Sequence, residues 1–586
     1  SMLSRLLTFA AFSFTALAAE PPSYVCQRAD SPVTIDGKGD EVCWQRAAAL
    51  SPLRDIEGGD IEDGTRIKML WDDSYLYVLA DIPEPDLRAT LTEHDSIIFR
   101  DPDFEVFIDP AGEGNHYIEL EMNALGTVWD LFIARTYRET HPVILHDWNI
   151  PGLRRAVHCR GTLNDASDRD EGWSIELAIP WRSITGHGTI PRRDTPPEAG
   201  TRMRMNFSCV NHIGDTETNH VWAPTGVVNI HLPEHWGYVT FSDKTAGTPE
   251  QPAPRVFLWV HGGEDTKDTA LWRERFRSYA EAGVDSVIIG DTAEQVHALA
   301  PLARAEGLEV FAWFWTLNRP QDAEPLRHPD WFAVSREGRS CFAESDRPYV
   351  PYYQFLCPNN AEVRQYLLNE AEKLCSLPCL AAVQMDYLRL PDVILPRELW
   401  GKYGLTMDRE LPPYDFCYCD TCRRLFRERY GRDFAEQPEQ DADWREFRLQ
   451  SVAELAALLS ARLHACGKRA ACAVFPTPQL AAQLVRQDWS RFPLDLALPM
   501  DYSAFYDAQA TPTEWTQHAL RAAREQTHTP LAPGIHLPDL TPEHFRALLD
   551  LLRRENAAGI GIFSSETLSE EHRRVLREWK YRKCDK

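Results

Sequence analysis

An acidic, an aromatic and a basic side chain follow one buried stretch of the sequence. The apolar run from Leu380 to Val383 predicts a strand, and Asp386, Tyr387 and Arg389 come directly after it. Residues 360–374, before the run, have apolar side chains at helical spacing. A helix, a buried strand and then a carboxylate is the order in which an α/β barrel presents a catalytic group. For a single Asp, capping of the following turn is the alternative.

Seven other segments of the C-terminal part also predict buried strands. They are Val256–His261, Ser286–Gly290, Glu309–Trp315, Arg469–Phe475, Asp495–Asp501, Leu531–His536 and Gly559–Phe563. Helical patterns separate them, among them residues 272–282, 293–305 and 444–465. Eight strands alternating with helices over about 330 residues predict a (β/α)₈ TIM barrel at residues 255–586.

The ends of these strands carry polar and aromatic side chains. They are His261, Asp291, Trp313, Trp315, Asn318, Asp386, Tyr387, Arg389, Asp501, Tyr502, His536, Ser564 and Glu566. Taken singly, each could simply be a loop residue that follows a strand, because loops require polar residues in any protein. Together at one rim, carboxylates and aromatic rings suit glycoside hydrolysis, which needs an acid, a partner carboxylate and flat surfaces for sugar rings.

Three cysteines lie within six residues, at Cys417, Cys419 and Cys422. They cannot all pair with one another, but thiolates at this spacing suit a structural Zn²⁺, which takes four tetrahedral ligands. Cys357 is the first choice for the fourth ligand and Cys341 the second. A disulfide plus a free thiol, or reduced buried thiols, are the alternatives.

The N-terminal part has many short alternating strands and little helical pattern. Residues 66–71 and 75–80 flank the turn Asp72-Asp73-Ser74, which indicates a hairpin, and residues 104–109, 117–122 and 173–179 continue the pattern. This predicts an all-β sandwich at residues 20–243. The polar, Pro-rich residues 244–254 predict a linker to the barrel.

The N-terminal residues of the sequence indicate an exported protein. Residues 1–19 have a positive residue, an apolar run too short to span a membrane and a small-residue cleavage site, so they predict a signal peptide.

A net charge of −26 argues against nucleic acid or an anionic membrane as partner. Fourteen cysteines make disulfides feasible, and Cys26 with Cys43 and Cys159 with Cys209 are candidate pairs, with buried free thiols as the alternative.

The N-terminal motifs resemble family 9 carbohydrate-binding modules. The motifs, in order, are Val33–Gly37, Trp44, Leu70–Asp73, Leu76–Val78, Glu105–Asp109, Tyr117 with Glu119 and Asn123, and Trp173 before Glu176 and Pro180. The resemblance implies a sandwich that holds a sugar between aromatic side chains, sometimes with structural calcium. Trp71 and Trp222 are the candidate sugar platforms, and core packing is the alternative for each.

The C-terminal motifs resemble glycoside-hydrolase-like barrels. The motifs are His328–Phe332, Leu356–Asn360, Met385–Arg389, Phe416–Cys422 and Pro499–Tyr502. The resemblance implies that Asp386 is the nucleophile and Asp501 the acid/base, with Glu566 and Asp291 in reserve. Residues 381–384 depart from the Gly-rich strand of such barrels. Family 42 glycoside hydrolases carry a similar thiol cluster, which supports a structural metal.

These observations predict an exported, retaining glycoside hydrolase with an appended carbohydrate-binding domain. His261, Asp291, Trp313, Trp315, Tyr387, Arg389, Tyr502 and His536 would bind substrate. The second hypothesis is a carbohydrate-binding surface protein with a degenerate, non-catalytic barrel. A metal-dependent hydrolase is disfavoured because no His-rich ligand set is evident, and no organic cofactor is expected because no nucleotide-binding motif stands out.

Overall fold

The computed structural model describes residues 20–185, 196–247, 254–263 and 265–582. The predicted signal peptide lies outside the described residues, as do residues 248–253 of the predicted linker. Backbone contacts divide the chain into two units, residues 1–197 with 202–240, and residues 198–201 with 241–586. The first unit is rich in β-strands and the second contains a parallel barrel.

Thirteen strands and two short helices form the described part of the first unit. The strands are β1 Ser23–Arg28, β2 Arg54–Asp55, β3 Arg66–Trp71, β4 Tyr75–Pro83, β5 Asp103–Asp109, β6 Tyr117–Asn123, β7 Val128–Arg135, β8 Val143–Leu145, β9 Arg154–Arg160, β10 Gly172–Pro180, β11 Arg202–Ile213, β12 Thr216–Val221 and β13 Gly237–Thr245. The helices are α1 Val42–Arg46 and α2 Trp181–Thr185. The order of hydrogen-bonded strands in the sheet is β8-β7-β6-β5-β11-β13-β1-β3-β4-β10-β9, and β12 pairs with β11 and β2.

Side chains in these strands alternate between two faces, as the period of two requires. The predicted hairpin is present, because β3 and β4 pair antiparallel with Trp71 opposite Leu76. On β5 and β6, one face is apolar and buried, and the other carries carboxylates and aromatic rings. The apolar face consists of Phe104, Val106, Ile108, Ile118, Leu120 and Met122. The face of β5 and β6 that turns away from this core therefore carries the polar chemistry of the unit.

Eight strands of the second unit form a near-closed parallel barrel. They are β14 Arg255–His261, β15 Ser286–Gly290, β16 Glu309–Trp315, β17 Ala382–Asp386, β18 Arg469–Val474, β19 Leu496–Pro499, β20 Gly534–His536 and β21 Gly559–Phe563. The strand order is β19-β18-β17-β16-β15-β14-β21-β20. A single parallel bridge between Ala497 and Leu531 joins the two ends of this order. The prediction of eight parallel strands is confirmed.

Helices alternate with these strands along the chain. They are α3 Thr269–Ala282, α4 Ala293–Ala305, α5 Ala323–Leu326, α6 Ala361–Cys375, α7 Asp420–Tyr430, α8 Ala442–Ala465, α9 Pro478–Val485, α10 Ser503–Tyr506, α11 Pro512–Gln526, α12 Pro542–Arg554 and α13 Glu570–Tyr581. The side chain of Asn360 caps α6 by accepting from the backbone N–H groups of Glu362 and Val363. Among the described residues, no helix has the length and apolar character needed to cross a membrane.

The barrel interior is filled by side chains and is not a channel. Its buried residues include Phe257, Trp259, Ile288, Phe311, Trp313, Ala382, Ala471, Leu498 and Ala532. Trp259 lies across Gly561, where an added Cβ would come within 2.7 Å of the indole ring, so glycine is required there. The polar strand ends therefore lie above a packed core.

The cysteine pairing differs from both candidate pairs. Cys26, Cys43, Cys159 and Cys209 are free thiols, and all except Cys159 are buried. Cys159 lies on the terminal strand β9, where its thiol donates to the Ala124 carbonyl. A disulfide joins Cys375, at the end of α6, to Cys466, directly after α8. This pair is 91 residues apart in sequence, and only helix packing brings it together.

Candidate active site

Asp386 ends strand β17 at the rim of the barrel and is held by two hydrogen bonds. Trp313 Nε1 donates to its Oδ2 at 2.9 Å, and the backbone N–H of Tyr387 donates to its Oδ1 at 2.7 Å. The backbone of Tyr387 is left-handed, with φ of 51°. Burial raises the pKa of Asp386, while the Trp313 and Tyr387 hydrogen bonds and the charge of Arg389 act to lower it. The carboxylate thus has specific partners that favour its charged form.

Asp501 follows strand β19, two strands away from Asp386 in the barrel order, and its surroundings differ. Its side chain is 4% exposed, and neither carboxyl oxygen has a hydrogen-bond partner among the described residues. Burial raises the pKa of Asp501 well above its ordinary value. Burial without a compensating hydrogen bond therefore favours the protonated form of this carboxyl group.

Tyr502 connects the two carboxylates electrostatically. Burial raises the pKa of the Tyr502 hydroxyl, and the charges of Asp386 and Asp501 both raise it further. The two residues that the sequence assigns to catalysis follow strands β17 and β19 and thus lie at the same rim of the barrel.

Aromatic rings from five strands form a continuous arc at the rim of the barrel. Neighbouring ring centroids are 4.5–6.3 Å apart along the series Tyr387, Trp315, Trp313, Phe563, His536 and Tyr502. His261 packs against Trp313 at 5.0 Å. The arc uses strands β17, β16, β21, β20 and β19, and such flat apolar surfaces suit pyranose rings. Sequence inspection missed Phe563, which is the last residue of an otherwise ordinary buried strand.

A second polar group lies beside this arc. His261 Nδ1 is 3.9 Å from Asp291 Oδ1, and Asp291 is half exposed. Interaction with Asp291 raises the pKa of His261, and the charge of exposed Glu566 adds to this effect. Two carboxylates and an imidazole, those of Asp291, Glu566 and His261, therefore lie at the part of the barrel rim formed by β14, β15 and β21.

Arg389 is buried and already paired. Its Nη1 donates to Asp392 Oδ1 at 3.2 Å and its Nη2 donates to the Tyr353 hydroxyl at 3.2 Å, while Tyr353 donates to the same Asp392 oxygen at 2.8 Å. The Arg389 guanidinium is 5.1 Å from the Tyr387 ring centroid. Arg389 therefore packs against the Tyr387 ring. Sequence reasoning missed its partners Asp392 and Tyr353. The Arg-x-x-Asp spacing was an available signal for Asp392.

Four cysteines, one from the segment before α6 and three from the end of the loop that follows β17 and the start of α7, lie close together. One sulfur atom from each of Cys357, Cys417, Cys419 and Cys422 lies within 4.8 Å of the others. The Cys357 sulfur is 3.5 Å from that of Cys419 and 3.4 Å from that of Cys422. Sulfurs about 2.3 Å from a tetrahedral zinc would be roughly 3.8 Å apart, so this set fits the ion. Cys341, the second choice for the fourth ligand, is not in this group.

The two Trp residues expected to bind sugar in the first unit are buried. Trp71 and Trp222 are each 1% exposed. Trp71 lies under Arg28 and against the edge of Trp181, and Trp222 packs on Phe207. Neither offers a ring face at the surface, because core packing covers both. Phe99 and Tyr137 are among the exposed aromatic side chains of this unit instead.

Buried carboxylates lie on the polar face of β5 and β6. Oxygen atoms of Asp103, Glu105 and Glu121 lie within 4.8 Å of one another, and burial raises the pKa of each group. The Ser208 side chain lies opposite Glu105 in the ladder between β11 and β5. Oxygen donors of this kind are those that Ca²⁺ prefers.

Residues 35–244 match a family model described as "Carbohydrate family 9 binding domain-like". This segment is a family 9-like carbohydrate-binding domain. The family 9-like domain includes the carboxylates of β5 and β6 and all of the sequence motifs that predicted it except the first two residues of Val33–Gly37. The resemblance stated from sequence is therefore confirmed for this part of the chain.

Two curated relatives share part of the sequence. The chain is 28% identical over 181 residues to exoglucanase XynX of Acetivibrio thermocellus, covering 30% of this chain and 14% of that protein. It is 30% identical over 160 residues to endo-1,4-beta-xylanase A of Thermoanaerobacterium saccharolyticum, covering 27% of this chain and 12% of that protein. The matches thus span about one seventh or less of either relative.

Similar solved structures include a glycoside hydrolase domain. The glycoside hydrolase domain of PgaB (BpsB) from Bordetella bronchiseptica matches 56% of this chain and 99% of its own length, with 14% identity and a TM-score of 0.40.

Proposed function

We propose that this protein is an exported, retaining glycoside hydrolase that acts on an oligo- or polysaccharide. The observation that carries the proposal is the contrast between Asp386 and Asp501 at the same rim of the barrel. Asp386 accepts two hydrogen bonds that favour its anion, whereas Asp501 is buried without a hydrogen-bond partner among the described residues, which favours its protonated form. Burial raises the pKa of both carboxyl groups, but only Asp386 has hydrogen bonds and a nearby cation that oppose this effect, and acid-assisted glycosidic cleavage requires two carboxyl groups whose environments differ.

In this mechanism Asp386 attacks the anomeric carbon of the sugar. Asp501 gives its proton to the glycosidic oxygen as the bond to that oxygen breaks, so the leaving alcohol departs neutral. The result is a covalent glycosyl ester on Asp386. Asp501, now ionised, then takes a proton from water, which attacks the anomeric carbon and releases the sugar. Both carboxyl groups return to their starting protonation states.

The remaining rim residues bind the sugar. Trp315 and Tyr387, with centroids 4.5 Å apart, form one wall, and His536 and Tyr502 form the opposite end of the aromatic arc. Asp291, His261 and Glu566 supply hydrogen-bonding groups for sugar hydroxyls between them. Arg389 acts through Tyr387 and Asp392, because its guanidinium is buried against them.

The first unit binds carbohydrate and supports the enzyme in this proposal. The match to a family 9-like domain supports this, as do the exposed rings beside its polar face. The four-cysteine group would hold a structural zinc with no open catalytic position, and Asp103, Glu105 and Glu121 would hold a structural calcium. Export is supported by the N-terminal sequence pattern and by the Cys375–Cys466 disulfide, which persists in oxidising compartments.

Hydrolysis of a broad glycan panel by the wild type and by Asp386→Asn tests the proposal. We expect the wild type to release sugar and Asp386→Asn to lose at least about a thousandfold in kcat. Asp408→Asn, at an exposed position in the loop after β17, serves as the matched control and should retain activity. Equal release by wild type and Asp386→Asn would remove Asp386 as nucleophile.

The second candidate is a carbohydrate-binding protein whose barrel does not catalyse hydrolysis. The burial of Asp501 favours it, because a glycosidic oxygen reaches a 4% exposed side chain only after a neighbour moves. Retention of the protein on a glycan column, with no sugar released from any member of the panel, would establish this function in place of the first.

A further inference from the structure

Four polar side chains of the first unit converge beside strand β7. His94 Nε2 is 3.2 Å from Asp95 Oδ1, 3.2 Å from Asp130 Oδ1 and 2.5 Å from Asn149 Oδ1. The nitrogen and the two carboxylate oxygens all lie within 4.8 Å of one another. Three segments that are distant in sequence thus aim one nitrogen and three oxygen donors at a single point.

Hydrogen bonding cannot satisfy this arrangement. One ring nitrogen carries at most one proton and donates at most one hydrogen bond, yet three oxygen atoms surround it. Among the described residues, neither Asp95 Oδ1 nor Asp130 Oδ1 has a hydrogen-bond partner, although both atoms are buried. The Asp130 side chain is 2% exposed. A buried carboxylate oxygen without a partner is costly unless a cation neutralises it.

Hydrogen bonds from backbone N–H groups hold the loops that carry these side chains against β7. The N–H of Asp95 donates to the Val128 carbonyl at 2.9 Å, which ties the His94 loop to β7. The N–H of Ile150 donates to the other Asp130 oxygen, Oδ2, at 2.6 Å, which ties the Asn149 loop to the same strand. The donors are therefore held in place before any ion arrives, and this lowers the cost of binding.

We propose that His94, Asp95, Asp130 and Asn149 bind a divalent metal ion of the Mn²⁺ and Zn²⁺ class. Ligand atoms about 2.1 Å from such an ion lie roughly 3.0–3.4 Å apart in octahedral or tetrahedral geometry. The two 3.2 Å separations match this range, whereas the 2.5 Å between His94 Nε2 and Asn149 Oδ1 is shorter, so Asn149 must move by about half an ångström to coordinate the same ion. An imidazole nitrogen with carboxylate and carboxamide oxygens suits these borderline ions better than the all-oxygen shell that Ca²⁺ prefers. His94 is about half exposed, so the ion has a route in from solvent.

The site lies next to a group of aromatic rings on the same strand. Trp129 precedes Asp130, and its ring centroid is 6.4 Å from that of Phe99 and 6.1 Å from that of His146. Trp129 Nε1 also donates to the His146 carbonyl at 3.2 Å. Because Phe99 and His146 belong to the two loops that the metal would join, the ion would fix the position of these rings.

Manganese binding to the full-length protein tests the site. The protein is stripped with a chelator and titrated with Mn²⁺, and the free ion is followed by its electron paramagnetic resonance signal. Pulsed measurements of the bound ion then detect ¹⁴N coupling from a coordinated imidazole. The four-cysteine group does not interfere, because thiolates favour softer ions than Mn²⁺.

Three variants and the wild type give the decisive comparison. We expect Mn²⁺ to bind the wild type with ¹⁴N coupling, and His94→Ala and Asp130→Asn to bind at least about tenfold more weakly without that coupling. His116→Ala removes a histidine that pairs with the Glu113 carboxylate at 2.7 Å and lies outside the proposed site, so it should behave as wild type.

Other results would overturn the assignment. Bound Mn²⁺ without ¹⁴N coupling would place the ion elsewhere, for example on Glu121 and its neighbours, and Glu121→Gln would then abolish binding. Coupling that persists in His94→Ala, or no binding by the wild type below millimolar Mn²⁺, would also refute it. His94→Ala alone is sufficient if Asp130→Asn does not fold, because His94 is a surface side chain.

Discussion

Trp313 Nε1 donates a hydrogen bond of 2.9 Å to Asp386 Oδ2, and this links the aromatic arc to the carboxylate proposed as nucleophile. Trp313 comes from β16 and Asp386 from the neighbouring strand β17, so barrel register sets the distance. The bond favours the anion of Asp386 and opposes the effect of burial, which raises its pKa. The aromatic arc and the Asp386 carboxylate are therefore directly connected.

Trp313→Phe should weaken catalysis by removing this donor while keeping a ring. Loss of the bond raises the pKa of Asp386 further, so the acidic limb of the kcat/KM profile should move to higher pH. A hydrogen bond to a charged group is worth about 1.5–3 kcal/mol, which predicts roughly a 10–100-fold fall in kcat/KM. In the comparison variant Trp315→Phe, which changes the neighbouring ring and leaves the Trp313 hydrogen bond to Asp386 intact, the acidic limb should stay in place.

Asp501→Asn should remove the alkaline limb of the same profile. General acid catalysis contributes about 10²–10⁴-fold, so kcat/KM should fall by roughly that factor at neutral pH. An alkaline limb that survives in Asp501→Asn would assign the acid to another residue, of which Glu566 is the next to test.

The same variant should change how stability depends on pH. Burial raises the pKa of folded Asp501 above its unfolded value, so the folded state holds a proton that the unfolded state has released. Wild-type stability from this group is therefore present below the unfolded pKa and is lost as pH rises towards the folded pKa. Asp501→Asn cannot ionise, so its free energy of unfolding relative to wild type should increase from pH 4 to pH 8 in urea titrations.

Arg389→Met should mainly lower the free energy of unfolding of the barrel and have little direct effect on substrate binding. It would leave the buried carboxylate of Asp392 without its cation, at a cost of about 3–5 kcal/mol in the free energy of unfolding. Arg424→Ala, which breaks an exposed pair with Glu428, should cost no more than about 0.5 kcal/mol. The double variant Arg389→Met with Asp392→Leu should recover much of the loss, and failure to do so would contradict a pairing role for Arg389.

Zinc content tests the four-cysteine group. Elemental analysis of purified His94→Ala, which lacks the second proposed metal site, should find about one zinc per chain, and adding Cys422→Ser should remove it together with thermal stability of the barrel. Cys341→Ser, which changes a buried cysteine outside the group, should retain the metal. Zinc-free wild type with four titratable thiols would leave this group as reduced cysteines.

Sequence patterns predicted the barrel strands well because each is a continuous apolar run. The bounds of Ser286–Gly290, Glu309–Trp315 and Gly559–Phe563 are those of β15, β16 and β21. Strand polarity in a parallel barrel then places the residues that follow each strand at one rim, which is why Asp386 and Asp501 could be chosen before the structure was known.

The partners of these residues depend on tertiary packing and could not be derived in the same way. Tyr353 lies 36 residues before Arg389, in a loop with no periodic pattern. The burial of Trp71 and Trp222 depends on which side chains cover them, and alternation along a strand does not reveal this. The His94 and Asp130 pairing likewise joins a loop to a strand that begins more than thirty residues later.

Reduction of the Cys375–Cys466 disulfide should weaken the barrel. The bond closes a loop between residues 91 apart, and cross-links of this length typically contribute about 2–4 kcal/mol to the free energy of unfolding. Cys375→Ser with Cys466→Ser should therefore unfold at lower urea than wild type, and a reductant should lower the wild-type midpoint without affecting the double variant. Cys472→Ser, a change at a buried free thiol on β18, controls for the loss of a sulfur atom in the core. Equal midpoints for reduced and oxidised wild type would show that the two helices are held by packing alone, and would remove the disulfide as support for export.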